Sequence, residues 1–301
     1  MTHVFVSPHP DDIALACGGL VAGLRSRGEA VVIVTVFCGA GANPSLTDYQ
    51  RDALGLGGEA ATGTASSSAA AMARRRVEDE LYARSVGAQI VFLKLPDAVF
   101  RGYEGEAQLM GMPRPDDPPP IEALARELGR LRPQDVYFPL GVGNHVDHQL
   151  TRAAGIALLV GARGGALVGA QAGAQGEAQG EPSRAGAGAV GAGLQGRLLF
   201  YEDFPYAVRI GFERLDQLPG DALATLPADV SLVPEYTELG ALLERKVEGV
   251  RVYASQVDSL FGSDAAMEEA VRSRATLVGQ LGGVGPAERL WRAVASGTGG
   301  P

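Results

Sequence analysis

The segment Ala30 to Phe37 is the feature that most constrains the fold, because it consists mainly of valine and isoleucine and shows no polar alternation. A strand with one face in water alternates apolar and polar residues, whereas a strand covered on both faces is a continuous apolar run. Strands of the second kind belong to parallel sheets that carry helices on both sides. The segment therefore predicts an inner strand of such a sheet.

Predicted strands and helices alternate along the first two thirds of the chain. Apolar runs predict the strands, and apolar residues at helical spacing, closed by glycine or proline, predict the helices between them. The further strands are predicted at 3–7, 89–95, 135–140 and 197–202, and the helices at 15–27, 74–86, 121–131 and 147–160. This order predicts an α/β fold with a mostly parallel sheet, in which ligands bind beyond the carboxyl ends of the strands.

The remaining segments predict how the 301 residues are organised. Residues 161–196 hold 12 glycines and 10 alanines without an apolar period, which indicates a flexible insertion. Long helices are predicted at 238–256 and 264–281, and residues 296–301 are predicted to form a disordered tail. We therefore expect one domain over 1–295, lengthened by the insertion, rather than two domains.

Charge and hydropathy exclude several classes of protein. Lys and Arg number 26 against 35 Asp and Glu, and this net charge of −9 disfavours binding to nucleic acid or to an anionic membrane. No apolar run approaches the roughly 18 residues of a membrane span, and no leader pattern begins the chain. Cys17 and Cys38 fit neither a disulfide framework nor a zinc knuckle, so we expect small buried residues. We predict a soluble cytoplasmic protein, and whether it forms a homo-oligomer stays open.

Histidine is rare in this chain and is clustered. Three of the four histidines lie in the segments Pro8-His9-Pro10-Asp11-Asp12 and Asn144-His145-Val146-Asp147-His148. Each segment follows a predicted strand directly, so both are expected at the carboxyl ends of strands in one sheet. The fourth histidine, His3, begins a strand and is expected to be structural.

These two segments offer the residue types that bind a divalent metal ion. A catalytic zinc ion takes three nitrogen or oxygen ligands and keeps a position for water. Five candidate groups therefore leave two for proton transfer and for stabilising an oxyanion. The five are His9, Asp11, Asp12, His145 and His148.

The aspartate pair has two other interpretations. An Asp pair after a strand is commonly a helix N-cap with a favourable charge at the helix dipole. Such a pair also binds magnesium in enzymes of phosphoryl transfer, but the chain has no glycine-rich phosphate loop ending in Lys-Ser/Thr, and imidazole ligands are too soft for magnesium. Two clusters at equivalent positions of the fold favour the metal site.

The same residues resemble the two motifs of the PIG-L/LmbE-like deacetylases, which are zinc-dependent N-deacetylases with a Rossmann-like three-layer fold. The first motif corresponds to Ser7 to Asp12 followed by Cys17-Gly18-Gly19, and the second to His145 to His148. Weaker features in the family's order extend the resemblance over about residues 1 to 258. They are Arg75 to Glu78 with Gly87, Leu95 to Asp97, Lys246, and Tyr253 to Gln256.

The resemblance implies roles for individual residues. It implies that His9, Asp12 and His148 bind Zn²⁺, that Asp11 is the general base, and that His145 stabilises the oxyanion. It further implies that two residues, Arg75 and Asp97, contact the substrate, a small N-acetylated sugar conjugate of the N-acetylglucosamine type. Asp147 is expected to orient an imidazole or to cap a helix.

The chain also departs from the family. Many members carry Glu where this chain has Ile13, and several carry a bulky Tyr or Arg near Gly143 and Asn144. The segment Tyr201 to Tyr206 is interpreted either as part of the substrate wall or as a strand running into a turn. The leading hypothesis is a zinc-dependent hydrolase that removes an acetyl group from an amino sugar. The alternatives are a non-catalytic metal- or sugar-binding module of the same fold and an amidase acting on a non-sugar acyl amide.

Overall fold

The computed structural model describes residues 1–42, 45–54, 67–172, 196–218, 223–224 and 226–295. Its strands are β1 Thr2–Ser7, β2 Ala30–Thr35, β3 Gln89–Phe92, β4 Asp135–Pro139, β5 Arg197–Tyr201, β6 Val230–Glu238 and β7 Ala287–Ala295. They form one sheet in the order β3-β2-β1-β4-β5-β7-β6. The strands β1 to β5 pair in parallel, whereas β7 is antiparallel to both β5 and β6.

Helices cover both faces of this sheet. They are α1 Asp12–Ser26, α2 Asp48–Ala53, α3 Ser68–Val86, α4 Glu106–Leu109, α5 Ile121–Leu131, α6 Val146–Ala172, α7 Tyr206–Arg209, α8 Leu242–Arg251, α9 Ala254–Phe261 and α10 Asp264–Gly282. Val6 of β1 packs in a core that includes Leu124 of α5, and its neighbour Phe5 packs on the opposite face in a core that includes Val21 of α1. The three-layer α/β fold predicted from the sequence is confirmed.

The N-terminal elements lie close to their predicted positions. Helix α5 has the predicted bounds, while α1 begins at Asp12 rather than Leu15 and α3 at Ser68 rather than Arg74. The earlier start of α3 follows from a cap, because the side chain of Ser67 accepts a hydrogen bond from the backbone N–H of Ala70 at 3.2 Å.

Helix α6 is longer than the prediction. It was expected to end at residue 160, but it continues to Ala172 and so includes the first twelve residues of the segment 161–196. The rest of the predicted insertion, 173–195, and the predicted tail, 296–301, lie outside the described residues. The single domain over 1–295 stays a prediction.

The C-terminal third differs most from the prediction. A single helix over 238–256 was expected, but Glu238 ends strand β6, and two helices, α8 and α9, follow it. Strands β6 and β7 were not predicted at all. Pro234 inside β6 disfavours a strand in sequence reasoning, and it is tolerated here because β6 is the edge of the sheet.

Three smaller predictions are confirmed. Cys17 and Cys38 are both buried and free. His3 is a buried strand residue whose Nε2 lies 2.7 Å from Glu29 Oε2 and whose Nδ1 lies 3.2 Å from Asp135 Oδ2. None of the helices within the described ranges combines the length and the apolar character that crossing a lipid bilayer requires.

Candidate metal and active site

Two loops at the carboxyl end of the sheet bring the predicted site residues together. Strands β1 and β4 are neighbours in the sheet, so the loops that follow them meet. In the first loop, the backbone N–H of His9 donates to Asp12 Oδ2 at 2.7 Å, and Ser7 Oγ donates to the carbonyl of His9 at 2.6 Å. These bonds fix the ring of His9 and the carboxylate of Asp12 on the same side of the turn.

The second loop turns sharply before helix α6. Gly141, Gly143 and Asn144 all have positive φ, between 64° and 87°, and this conformation is open to glycine and tolerated by asparagine. At Gly143 a second reason applies, because a Cβ atom there would lie 2.4 Å from Cβ of Tyr206. The turn delivers two imidazoles, those of His145 and His148, to the first loop.

One carboxylate oxygen lies between two imidazole nitrogens. Asp12 Oδ2 is 3.5 Å from His9 Nδ1 and 3.5 Å from His148 Nε2. His148 Nε2 is buried and has no hydrogen-bond partner. Ligand atoms of a tetrahedral zinc ion, each about 2.0–2.1 Å from the metal, lie about 3.3–3.4 Å apart. Each of the two imidazole nitrogens therefore lies from Asp12 Oδ2 at about the distance that separates two ligands of one metal ion.

The outer nitrogen of each of these imidazoles contacts a carboxylate. His9 Nε2 lies 2.9 Å from Asp147 Oδ2, and His148 Nδ1 lies 2.5 Å from Asp203 Oδ1. Imidazoles that bind metals usually donate their second N–H in this way, which orients the ring and fixes its tautomer. Asp147 thus orients an imidazole, as the sequence predicted.

Sequence reasoning missed Asp203. It lies in the segment Tyr201 to Tyr206, at the carboxyl end of β5 next to β4, and that position was the available indication. Its other oxygen accepts a hydrogen bond from the backbone N–H of Val142 at 2.8 Å, which ties it to the second loop. Within the segment, Pro205 and Tyr206 line the pocket. Tyr201 does not line it, and its hydroxyl donates to the carbonyl of Val6 at 2.8 Å.

The charges of the cluster attract a cation. Burial disfavours protonation of His9, but hydrogen bonds to Asp12 and Asp147 and the charge of Asp97 outweigh it and hold the pKa of His9 well above its usual value. Burial likewise opposes protonation of His148, yet Asp12 and Asp203 raise its pKa. A divalent metal ion satisfies the same carboxylates and leaves the imidazoles neutral. The residues present fit a metal ion.

The described residues contain two other spatial groupings of possible ligands. His9 groups with His145 and His148, and His9 also groups with Asp97 and Asp147. In the second grouping both carboxylates lie near His9 Nε2, at 3.7 Å for Asp97 and 2.9 Å for Asp147. That nitrogen is already hydrogen-bonded to Asp147, so this grouping is better explained as support for the ring of His9.

Asp11 is a buried carboxylate beside a buried arginine. Its Oδ2 lies 3.4 Å from Arg75 Nη2, which also donates to the carbonyl of Pro10 at 3.1 Å. Burial raises the pKa of Asp11 to about 7, although the charge of Arg75 opposes the shift. A carboxylate with a pKa near neutrality is suited to accept a proton and to return it.

His145 is held as a neutral ring. Its Nδ1 accepts a hydrogen bond from the backbone N–H of Asp147 at 3.2 Å, so the proton of the neutral ring is on Nε2. Burial, together with the positive charges of His9 and His148, lowers the pKa of His145 well below its usual value. A neutral imidazole with a fixed N–H is a hydrogen-bond donor for a developing oxyanion.

These groups line a pocket that is open to solvent. His9, Asp11, Asp12, Arg75, Asp97 and His145 supply its polar wall. Its other wall is largely apolar and comes from Leu15, Val99, Leu109, Pro205, Tyr206 and Leu260. Arg75 and Asp97, which are predicted to contact the substrate, therefore both line the pocket. They also contact each other, since Arg75 Nη1 is 3.8 Å from Asp97 Oδ2. In addition, Asp97 Oδ1 accepts a hydrogen bond from the backbone N–H of Val99 at 3.1 Å.

The weaker sequence features divide between the pocket and the interior. Gln256 lines the pocket, and its Nε2 donates to the carbonyl of Leu54 at 3.1 Å. Lys246 does not line it: its Nζ lies 2.8 Å from Glu288 Oε1 on the other side of helix α1. Ile13 is 2% exposed and packs in the core, so the position occupied by Glu in many relatives of this type does not face the pocket here.

The fold and this site define a class, the Rossmann-like α/β proteins with a histidine- and aspartate-rich site that fits a metal ion. Residues 4–159 match the family model PIG-L, described as GlcNAc-PI de-N-acetylase. The match spans more than half of the 301 residues, and the chain belongs to the PIG-L family.

Comparisons with individual proteins agree with the family. The chain is 31% identical over 261 residues to the 2'-N-acetylparomamine deacetylase of Streptomyces fradiae, covering 85% of this chain and 73% of that protein. It is 32% identical over 175 residues to the enzyme of the same name from Niallia circulans, covering 52% of this chain and 62% of the relative. Among solved structures, the zinc-inhibited form of teicoplanin deacetylase Orf2 superposes on this chain with a TM-score of 0.67. The two sequences are 20% identical, and the match covers 99% of this chain and 100% of the other. This likeness supports the fold.

Proposed function

We propose that this protein is a zinc-dependent hydrolase that removes the acetyl group from an N-acetylated amino sugar in a small conjugate. One observation carries the proposal: His9 Nδ1 and the buried, unpartnered His148 Nε2 both lie 3.5 Å from Asp12 Oδ2, and His9 and Asp12 line a pocket together with Asp11 and His145. The names of the two relatives, both deacetylases of an N-acetylated amino sugar conjugate, support the same chemistry.

In this proposal His9, Asp12 and His148 hold the zinc ion through Nδ1, Oδ2 and Nε2. The set of two imidazoles and one carboxylate would suit zinc. When bound, the ion supplies Lewis-acid chemistry, since it polarises the acetyl carbonyl and lowers the pKa of water. Asp147 and Asp203 orient the two imidazoles.

Asp11 acts as the general base and then as the general acid. It removes a proton from the water that attacks the acetyl carbon and delivers that proton to the leaving nitrogen as the C–N bond breaks, so the products are acetic acid, which ionises to acetate, and a free amine. Its pKa of about 7, raised by burial, suits both transfers. His145 donates its Nε2–H to the oxygen that becomes negative at the tetrahedral carbon.

Arg75 and Asp97 bind the sugar in this proposal. Arg75 Nε is buried without a partner, so the guanidinium has donor capacity beyond its contacts with Asp11 and Pro10. The apolar wall that includes Tyr206 and Leu260 fits the hydrophobic face of a sugar ring or its attached group.

Acetate release tests the proposal. Zinc-loaded protein is incubated with a panel comprising 2'-N-acetylparomamine, an N-acetylglucosaminyl inositol and a non-sugar N-acyl amide, and acetate and free amine are measured. We expect equal amounts of both products from at least one sugar conjugate, and loss of turnover after chelation that zinc restores. Turnover of the non-sugar amide alone would make the protein an amidase, and zinc binding without any turnover would make it a binding module.

A further inference from the structure

Arg101 lies between two carboxylates, those of Asp147 and Asp117. Its Nη2 donates to Asp147 Oδ1 and also lies 3.0 Å from Asp117 Oδ2. Its Nε is 3.1 Å from each oxygen of Asp117. The guanidinium carbon lies 4.5 Å from the centroid of the Phe37 ring, so this ring supports the group as well. One arginine therefore joins the carboxylate that orients His9 to a second carboxylate farther from the site.

The carboxylate of Asp147 is held at both of its oxygens. Asp147 has no exposed surface. Its Oδ2 lies 2.9 Å from His9 Nε2 and accepts a hydrogen bond from the backbone N–H of Ala98 at 3.0 Å, while Arg101 occupies Oδ1. Within the described ranges, no other arginine or lysine forms an ion pair with Asp147. Rotation of the carboxylate away from His9 therefore breaks a buried ion pair.

Arg101 belongs to the segment 97–117, which also forms part of the pocket wall. Asp97, Val99 and Leu109 of this segment line the pocket, whereas Arg101 does not. The contacts of Arg101 with the site run through Asp147 alone. An effect of Arg101 on a metal ion held by His9 is therefore an effect on orientation and not a direct contact.

We propose that Arg101 is a positioning residue, which fixes the carboxylate of Asp147 so that His9 keeps Nδ1 directed toward Asp12. This inference rests on the zinc site of the proposed function. Removing one partner of a buried ion pair leaves the other without compensation, which is strongly unfavourable. Without Arg101, the carboxylate of Asp147 turns to recover a partner for Oδ1, and the ring of His9 loses its fixed acceptor.

Charge alone predicts the opposite effect on zinc affinity. Arg101 is a cation, so its removal favours a divalent cation nearby if only charge matters. Loss of the group that orients a metal-binding imidazole costs about 10- to 100-fold in metal affinity. Arg101 acts one contact farther from the metal, so we expect the lower end of this range, about tenfold. The sign of the change therefore separates orientation from charge.

The test compares Arg101→Met with Arg114→Met, a matched control. Methionine keeps an unbranched apolar side chain beside Phe37 and removes every donor. Arg114 lies in the same segment, and its Nη1 donates to the carbonyl of Arg101 at 3.0 Å, but its ion pair is with Asp116 and not with Asp147. Competition with a chromogenic chelator measures zinc affinity. We expect it to fall about tenfold in Arg101→Met and to stay within twofold in Arg114→Met.

A conservative variant adds a second readout. Lysine keeps a positive donor for Asp147 but lacks the planar fork that also binds Asp117, so we expect Arg101→Lys to recover zinc affinity to within threefold of the unmodified protein. If Arg101→Met does not fold, Arg101→Gln takes its place with the same expectation. An unchanged or increased zinc affinity in the neutral variant, or equal losses in the neutral and lysine variants, overturns the positioning role.

Crystal structures of the metal-free proteins separate this inference from the proposed function. If the unmodified protein binds no zinc or releases no acetate, the proposed function fails, and the contact between Asp147 and His9 still tests the role of Arg101. The distance from His9 Nε2 to Asp147 Oδ2 is 2.9 Å with Arg101 in place. We expect this hydrogen bond to be broken in Arg101→Met, and its retention contradicts the inference.

Discussion

Asp203 Oδ1 lies 2.5 Å from His148 Nδ1, although the two residues are 55 positions apart. The contact joins the carboxyl end of β5 to the start of α6 and holds a proton on Nδ1, so that Nε2, on the side of Asp12, is the nitrogen that would bind zinc. Together with the contact between Asp147 and His9, it gives each imidazole of the proposed zinc site an orienting carboxylate.

Replacing Asp203 is therefore expected to weaken zinc binding. Asp203→Asn leaves one acceptor oxygen for two donors, the Nδ1–H of His148 and the backbone N–H of Val142, so we expect zinc affinity to fall about 10- to 100-fold. Competition with a chromogenic chelator measures this, with Asp135→Asn as the control for loss of a buried carboxylate. An unchanged zinc affinity in Asp203→Asn contradicts the orienting role.

The turn at Gly143 is expected to control the pocket wall. A Cβ at Gly143 would lie 2.4 Å from Cβ of Tyr206, and φ there is 87°. Gly143→Ala is therefore expected to displace Tyr206 and raise KM about tenfold or more. The control is Gly28→Ala, at φ 77° with no atom within 4 Å of the added Cβ, which costs stability through the backbone alone. Equal kinetics in the two variants would show that Tyr206 is not part of the substrate wall.

Because burial raises the pKa of Asp11, ionisation of this residue lowers the stability of the metal-free folded protein. Burial raises this pKa from 3.8 to about 7, so the folded chain binds this proton more tightly than the unfolded chain. This tighter proton binding adds to the free energy of unfolding. The addition is complete below about pH 4 and is lost as the pH rises through 7. Metal-free Asp11→Asn is thus expected to unfold about 2–6 °C above the metal-free unmodified protein at pH 8, with no difference at pH 4. Calorimetry at the two pH values checks this, and a less stable variant at pH 8 contradicts it.

The two cysteines are expected to be unreactive in the folded protein. Burial raises the pKa of the Cys17 thiol well above its usual value and that of Cys38 to about 11. Since the thiolate is the nucleophile, little of either is available at pH 8. Iodoacetamide should modify neither residue within an hour at pH 8 and both in guanidinium chloride, as mass spectrometry would show. Rapid modification of the folded protein would mean that the core around α1 opens.

The inner strands and the loops that follow them could be predicted from the sequence, because short stretches of the chain determine them. The apolar runs of β1, β2 and β4 are covered on both faces, so their sequences show it directly. His9 and His145 could be assigned to one site because parallel strands bring their following loops to the same edge.

The parts that the sequence did not predict depend on contacts between distant residues. Strand β6 is a strand because β7 pairs with it along its whole length, and nothing within 230–238 states that pairing. The helix expected over 238–256 is interrupted at Tyr253 because its hydroxyl reaches Asp79, 174 positions away. Asp203 is one acidic residue among several, and only the order of strands in the sheet places it behind His148.

In the proposed reaction Asp11 transfers the protons, while its neighbour Asp12, with His9 and His148, holds zinc. Zinc content and acetate release, measured on the same samples of Asp11→Ala and His148→Ala, separate these two roles. We expect Asp11→Ala to retain about one zinc ion per chain and to lose nearly all turnover, and His148→Ala to lose zinc and turnover together. Full turnover in Asp11→Ala, or undiminished zinc in His148→Ala, would contradict these roles.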